Sequence, residues 1–219
     1  MNRQKFFNGI RPIFGGYLTD SQVEGTETIL DAWERHGDDN PRHLAYILAT
    51  AKHETAHTMQ PVRETLAKSD AKAKEILSKA WKSGKLPWVK RDYWSSGFFG
   101  RGFVQITHAE NYRKAGQKLS LDLVSDPSKT LEPEVAGAIL VRGMLEGWFT
   151  GKSLSDFPDF LNMRRVVNGM DRAELIANFA NGFYEAISSA ADNDNPPKKT
   201  GWLARLVSAI MQAMRRLKR

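Results

Sequence analysis

Two carboxylates and two histidines set the first chemical question. Residues 53–57 read His-Glu-Thr-Ala-His inside AYILATAKHETAHTMQPVRET, and Glu64 follows ten positions after Glu54. His-Glu-x-x-His on a helix is the zinc-peptidase pattern, in which imidazoles at i and i+4 hold the metal beside a carboxylate base. Zinc needs a third protein ligand. The longer metzincin pattern asks for glycine at 60 and histidine at 63, where this chain has Gln60 and Arg63. Glu75 is the one acceptable ligand on a second helix, and its lysine-rich surroundings read as solvated. The expected metal content is none, and no other cofactor is expected. His53 reads as a structural or cleft-wall side chain and His57 as an occupant of a variable position.

Glu54 has a different use open to it. Leu44, Ile47, Leu48 and Ala51 repeat at helical spacing as a buried stripe, and Glu54 falls at the edge of its continuation. Tyr46 and both histidines fall away from that stripe. Apolar surroundings and the negative end of the helix dipole both favour the protonated carboxyl, the form a general acid needs.

The elements that must position these groups are mostly helices. Segments 18–37, 40–58, 67–84, 132–149 and 171–191 carry helical periodicity, with Asn40 and Pro41 as N-cap and first residue of the second. Between the third and fourth, DYWSSGFFGRGFVQITHAENY has the alternation of a short strand or hairpin. The expected fold is mainly α, a lysozyme-like α-rich domain with a small β-hairpin, over residues 1–191.

Charge divides the chain. From Lys198 onward there are seven cations and no acid, which accounts for the whole net charge of +7 and leaves 25 basic and 25 acidic residues before them. A neutral body argues against nucleic acid as the partner. Residues 192–199, DNDNPPKK, read as a linker to a cationic amphipathic helix over 200–219. Trp202, Leu203, Leu206 and Ile210 are expected to supply its apolar contact with an anionic membrane, and Arg205, Arg215 and Arg216 its charged contact, with packing of the helix on the body as the alternative. The absence of cysteine excludes disulfides and thiolate metal sites. Asn8, Arg11 and Pro12 interrupt any apolar signal-peptide core, so synthesis in the cytoplasm without a signal peptide is expected.

Four ordered stretches, AYILATAKHETAH, PVRET, GFFGRGFVQITHAENYRKAG and RRVVNG, resemble the family-19 glycoside hydrolases, and most nearly their phage endolysin branch. LDLVSDPSKTLEPEVAGAILV also resembles the family, so the similarity spans roughly residues 15–190. The resemblance implies a monomeric, inverting, metal-independent hydrolase of peptidoglycan glycan strands. It would be a muramidase acting in the periplasm after holin-dependent release. It makes Glu54 the general acid, Glu64 the base and Thr107 a holder of the attacking water. It also places Gln105, Asn111 and Asn168 along the sugar-binding cleft. Tyr93 and Trp94 are the better candidates for a sugar platform, with core packing as the alternative, and Phe98, Phe99 and Phe103 either stack on sugar or pack beneath the Gly-Arg-Gly turn. Arg101 is expected to brace that turn. The ten-residue carboxylate spacing is shorter than in plant chitinases of the family, and Ala180 stands near where many carry arginine. A chitinase remains the first alternative, a zinc peptidase the second, and a catalytically inert wall-binding protein the third.

Overall fold

The computed structural model describes residues 1–191. The linker and cationic helix expected over 192–219, including Trp202, Leu203, Arg205, Leu206, Ile210, Arg215 and Arg216, lie outside the described residues. Seven α-helices and one two-stranded antiparallel sheet make up the described fold. In chain order they are α1 (Arg3–Ile10), α2 (Asp20–His36), α3 (Pro41–Glu54), β1 (Val62–Arg63), α4 (Asp70–Lys82), β2 (Arg101–Gly102), α5 (Ala109–Leu119), α6 (Pro133–Leu145) and α7 (Ala173–Ser189). No described helix is long and apolar enough to cross a membrane.

Local sequence explains most helix starts. Thr19 and Gln22 form a reciprocal capping box at α2. The Asn40 side chain accepts from the Arg42 N–H, and Pro41 takes the first turn of α3, where its missing donor costs nothing. Pro133 opens α6 in the same way. Two helices escape the periodicity reading: α1, and α5, whose first turn lies inside the stretch expected to be a hairpin.

The structure corrects the expected environment of α3. Rather than one buried stripe, every residue from His43 to Lys52 is buried, because α3 runs through the centre of the fold and packs along α7. Tyr46, expected to face away, is fully enclosed and stacks on Phe160 with ring centroids 6.1 Å apart. Around this axis α1 packs on α7 and α2 on α6. A helix buried all round needs apolar or small residues on every face. Ala45, Ala49 and Ala51 meet that need.

A second, smaller core holds the hairpin region to α4. Ala67, Ala73, Leu77, Trp94 and Phe99 are buried in it, with Ile76, Leu86, Val89 and Tyr93 packed around them. Trp94 is 1% exposed and bonds Ser78 Oγ through its indole N–H, so it is a core residue and not a sugar platform. Phe99 and Phe103 are likewise buried, which decides for packing under the turn.

Candidate active site

α3 ends at Glu54 itself. Thr55 caps the helix, and its hydroxyl bonds back to the Ala51 carbonyl while accepting from the Met59 N–H. Ala56 and His57 then take left-handed backbone angles, φ 48° and 69°. The two histidines of HETAH therefore do not share one helical face. His57 sits edge-on to Phe179, with ring centroids 5.6 Å apart. Among the described residues, no three His, Asp or Glu side chains are grouped to hold a metal ion.

Glu54 projects from the helix end with its side chain 18% exposed, and its Oε1 accepts from Arg164 Nη1 at 2.8 Å. Arg164 is almost wholly buried and donates from Nε to the Asp171 carbonyl, so its guanidinium has little freedom. A short 3₁₀ segment, Asn162–Val166, carries it. His53 lies beside this pair. Burial pushes its imidazole pKa down, Glu54 opposes that, and Arg164 and Arg172 add to it, which favours a neutral ring. Asn168 is exposed next to the same segment, where its N–H bonds the Arg164 carbonyl and its Oδ1 accepts from the Gly169 N–H.

Glu64 belongs to a separate framework. β1 and β2 pair through Val62↔Gly102 and Arg63↔Arg101, and Glu64 follows directly after β1. Its backbone N–H bonds the Gly100 carbonyl. Its carboxylate accepts twice, at Oε1 from the Tyr93 hydroxyl (2.5 Å) and at Oε2 from the Gly100 N–H (2.8 Å). Burial and the Glu64 hydrogen bond both raise the Tyr93 pKa, so the phenol remains a donor. A side chain at position 100 would sit 2.8 Å from Gln105 Oε1 and 3.3 Å from Glu64 Oε2, which explains glycine there.

The other expected site residues extend this framework. Gln105 donates from Nε2 to the carbonyls of Val62 and Gly102, tying the two strands together. The Thr107 hydroxyl donates to the Gln105 carbonyl, and Asn111 Nδ2 donates to the Thr107 carbonyl. Thus Glu64, Tyr93, Gln105, Thr107 and Asn111 share one hydrogen-bonded unit, while Glu54 and Asn168 share another with Arg164.

Asp70, in the first turn of α4, joins residues that flank the Glu64 framework. Its Oδ1 accepts from Arg63 Nε and its Oδ2 from Arg101 Nη2, both at 2.6 Å. Arg63 precedes Glu64, Arg101 follows Gly100, and the two are cross-strand partners. Burial alone would raise the Asp70 pKa, but the two arginines outweigh it and hold the carboxyl below its usual range. Arg101 also reaches the Gly97 carbonyl and the Tyr112 hydroxyl, the bracing role expected of it. Sequence reading did not identify Asp70 or Arg164. An acid in a first helical turn looks like any helix-end charge, and only burial separates Arg164 from Arg165 beside it.

The comparisons with known proteins agree with this architecture. A family model described as class I chitinase, of glycoside hydrolase family 19, matches residues 13–153. Chitinase 11 of Oryza sativa subsp. japonica is 28% identical over 116 residues, which is 49% of this chain and 44% of the rice protein. The chain thus matches less than half the length of that relative. Chitinase C from Streptomyces griseus HUT6037 has a similar fold, with TM-score 0.53 and 18% identity over 87% of this chain and 78% of that one. A bacterial family 19 chitinase superimposes with TM-score 0.50 and 15% identity, covering 87% of this chain and 97% of its own. With a family match across more than half its length and the family's helical fold around its two carboxylates, this chain belongs to the family-19 glycoside hydrolases.

Proposed function

We propose that the chain is an endolysin that cleaves the glycan strand of bacterial peptidoglycan by single-step inversion, as an N-acetylmuramidase and without a metal. The observation that carries its acid–base mechanism is the different setting of its two carboxylates. Glu54 is bound through one oxygen to Arg164, and Oε2 has no partner among the described residues. In this reading that oxygen carries the proton to the glycosidic oxygen. Arg164 then balances the carboxylate left behind.

Glu64 accepts from Tyr93 and the Gly100 N–H, which orients both its oxygens as acceptors, as a base requires. Each oxygen keeps a lone pair for a water. Thr107 spends its proton on the Gln105 carbonyl, so its oxygen is free to accept one hydrogen of that water while Glu64 takes the other. Inversion asks for carboxyl groups about 6.5–9.5 Å apart with water between base and sugar. Supports on two separate hydrogen-bonded units suit that division of labour.

Mass spectrometry of borohydride-reduced products from purified peptidoglycan, digested with and without EDTA, tests the reading. Reduced muramic-acid ends, unaffected by chelator, are expected. Reduced glucosamine ends would change the bond assigned, and new peptide termini lost with EDTA would overturn the reading. Chitinase activity is the second reading, favoured because the relatives named above are chitinases. Faster turnover of chitooligosaccharides than of peptidoglycan would support it.

The tail completes the proposal. Residues 200–219 attach to an anionic membrane surface through their arginines and insert their apolar face. Export of the enzyme to the periplasm by a holin-dependent route belongs to the same reading. Truncation after Asp194 is expected to spare activity on purified walls and to reduce activity on intact cells. Equal loss on both would argue that the tail supports the body instead.

A further inference from the structure

The neutral charge of the body hides a local concentration. From Ile76 to Arg91 there is no acid, and Lys79, Lys82, Lys85, Lys90 and Arg91 are all exposed. This run folds into one small arm. The Trp81 indole N–H bonds the Val89 carbonyl at 2.9 Å, and the Lys85 N–H bonds the Ala80 carbonyl. The loop from Lys82 to Val89 is therefore pinned back onto the end of α4.

At its tip the Val89 N–H bonds the Leu86 carbonyl, closing a four-residue turn with Pro87 second and Trp88 third. Proline at the second position presets the turn backbone. Leu86 and Val89 at its base pack on the second core, whereas Trp88 stands 72% exposed. A pinned turn thus holds an exposed indole within a stretch of chain that carries five exposed cations, an arrangement suited to contact rather than to packing.

The arm is continuous with the wall that carries Glu64. Tyr93, two residues after Arg91, packs edge-on to Trp94 at 5.0 Å and donates to Glu64. Trp94 in turn contacts Trp81 at 5.8 Å. The arm and the Glu64 carboxylate thus share one structural support.

We propose that this arm is a docking surface for the peptide-bearing part of peptidoglycan, with Trp88 lying on a sugar or lactyl face and the lysines pairing with stem-peptide carboxylates. The inference rests on the peptidoglycan reading above and deepens it. A neutral chitin chain has no carboxylate to satisfy five cations, whereas a peptide-substituted glycan presents them at each repeat. Charge complementarity of this kind sets partner choice and encounter more than raw affinity. It is screened by salt.

The test uses the full chain, a Lys82→Glu/Lys85→Glu/Lys90→Glu variant and Trp88→Ala, none of which alters a buried residue. Binding is read by co-sedimentation with purified sacculi, either native or with carboxylates amidated by carbodiimide and methylamine. Wild type is expected to bind native sacculi more tightly than amidated ones. Each variant is expected to bind native sacculi about fivefold or more weakly, with KM on peptidoglycan raised and kcat unchanged. Binding to phosphatidylglycerol vesicles is expected to change little.

Equal binding of wild type and variants to native sacculi would overturn the proposal. So would loss on vesicles with sacculi binding intact, which would make the arm a lipid surface. If binding follows the prediction while wild type releases no reduced sugar ends from peptidoglycan, the docking surface stands and the proposed activity fails.

Discussion

At the scale of single residues, each carboxylate is governed by groups that hold it rather than by its own position in the chain. Glu54→Gln keeps the Arg164 contact but removes the proton, so activity on peptidoglycan is expected to fall about 10²-fold or more with the melting temperature little changed. Circular dichroism melts beside a turbidity assay check both halves. Asp70→Asn addresses the other carboxylate indirectly. Asp70 is partly exposed, which softens the effect, but Arg101 is 1% exposed and loses its charged partner. A stability loss of about 1–3 kcal/mol is expected, reduced from the value for a fully buried pair. Because Arg63 and Arg101 flank the Glu64 framework, kcat is also expected to fall about tenfold while KM changes little. An unchanged kcat with lowered stability would make Asp70 a structural residue only.

At the scale of elements, the segment between the carboxylates is held by α2. The Gln22 side chain donates to the His57 carbonyl and Gln60 to the Ser21 carbonyl, while Met59 is fully buried. A Cβ on Gly25 would lie 1.5 Å from the Met59 carbonyl oxygen, so α2 can approach this closely only with glycine there. Gly25→Ala is therefore expected to displace residues 55–61, costing about 2–4 kcal/mol and most of the activity. Calorimetry and initial rates test it, and a mild loss of stability at full activity would show that the segment does not set the carboxylate positions. Non-glycine residues with positive φ gather in the same region: Ala56, His57, Met59, Thr65 and Leu66 around the two glutamates, and Gln105 and His108 after β2. Such angles cost roughly 1 kcal/mol or more each and persist only where surrounding contacts enforce them. Here the hydrogen bonds of Thr55, Gln22 and Gln105 do so.

At the scale of the whole molecule, the centre of the fold contains a cation. Lys52 on α3 is 1% exposed, with Nζ 4.0 Å from the Phe179 ring centroid and 4.9 Å from that of Phe14. It ties α3 to α7 and to the segment after α1. Burial lowers its pKa from 10.5 to about 8. Between those values the unfolded chain binds more protons than the native one, so stability rises with pH across that window, and the full cost is present below it. Lys52→Met removes that cost but loses the cation–π contacts, leaving a net gain of about 1–2 kcal/mol at pH 7. The melting temperature should rise by about 2–8 °C. Thermal melts at pH 7 and pH 10.5 check the sign, because the advantage of the variant should narrow at the higher pH. A gain that stays constant or grows would place the effect in packing rather than charge.

The sequence by itself determined the helical class, the starts of the longer helices and the family. These are written in local chemistry: Thr19 and Gln22 as a capping box, Pro41 and Pro133 at first turns, and four ordered motifs around Glu54, Glu64, Gly100 to Asn111 and Asn168. The tertiary structure alone decided which groups surround those carboxylates. Arg164 reaches Glu54 across 110 positions, and Asp70 meets Arg101 across 31. No periodicity encodes a contact between distant segments, so neither pairing was legible. The tertiary structure also reversed the expected surroundings of Tyr46 and decided for Trp94 between a sugar platform and the core. Periodicity reports which face of an element is apolar, whereas burial depends on how many other elements close over it. HETAH shows both limits in five residues. Its histidines have the spacing of a helical metal pair, and the helix ends between them because Thr55 turns its hydroxyl to the Ala51 carbonyl and the chain leaves to pass beneath α2.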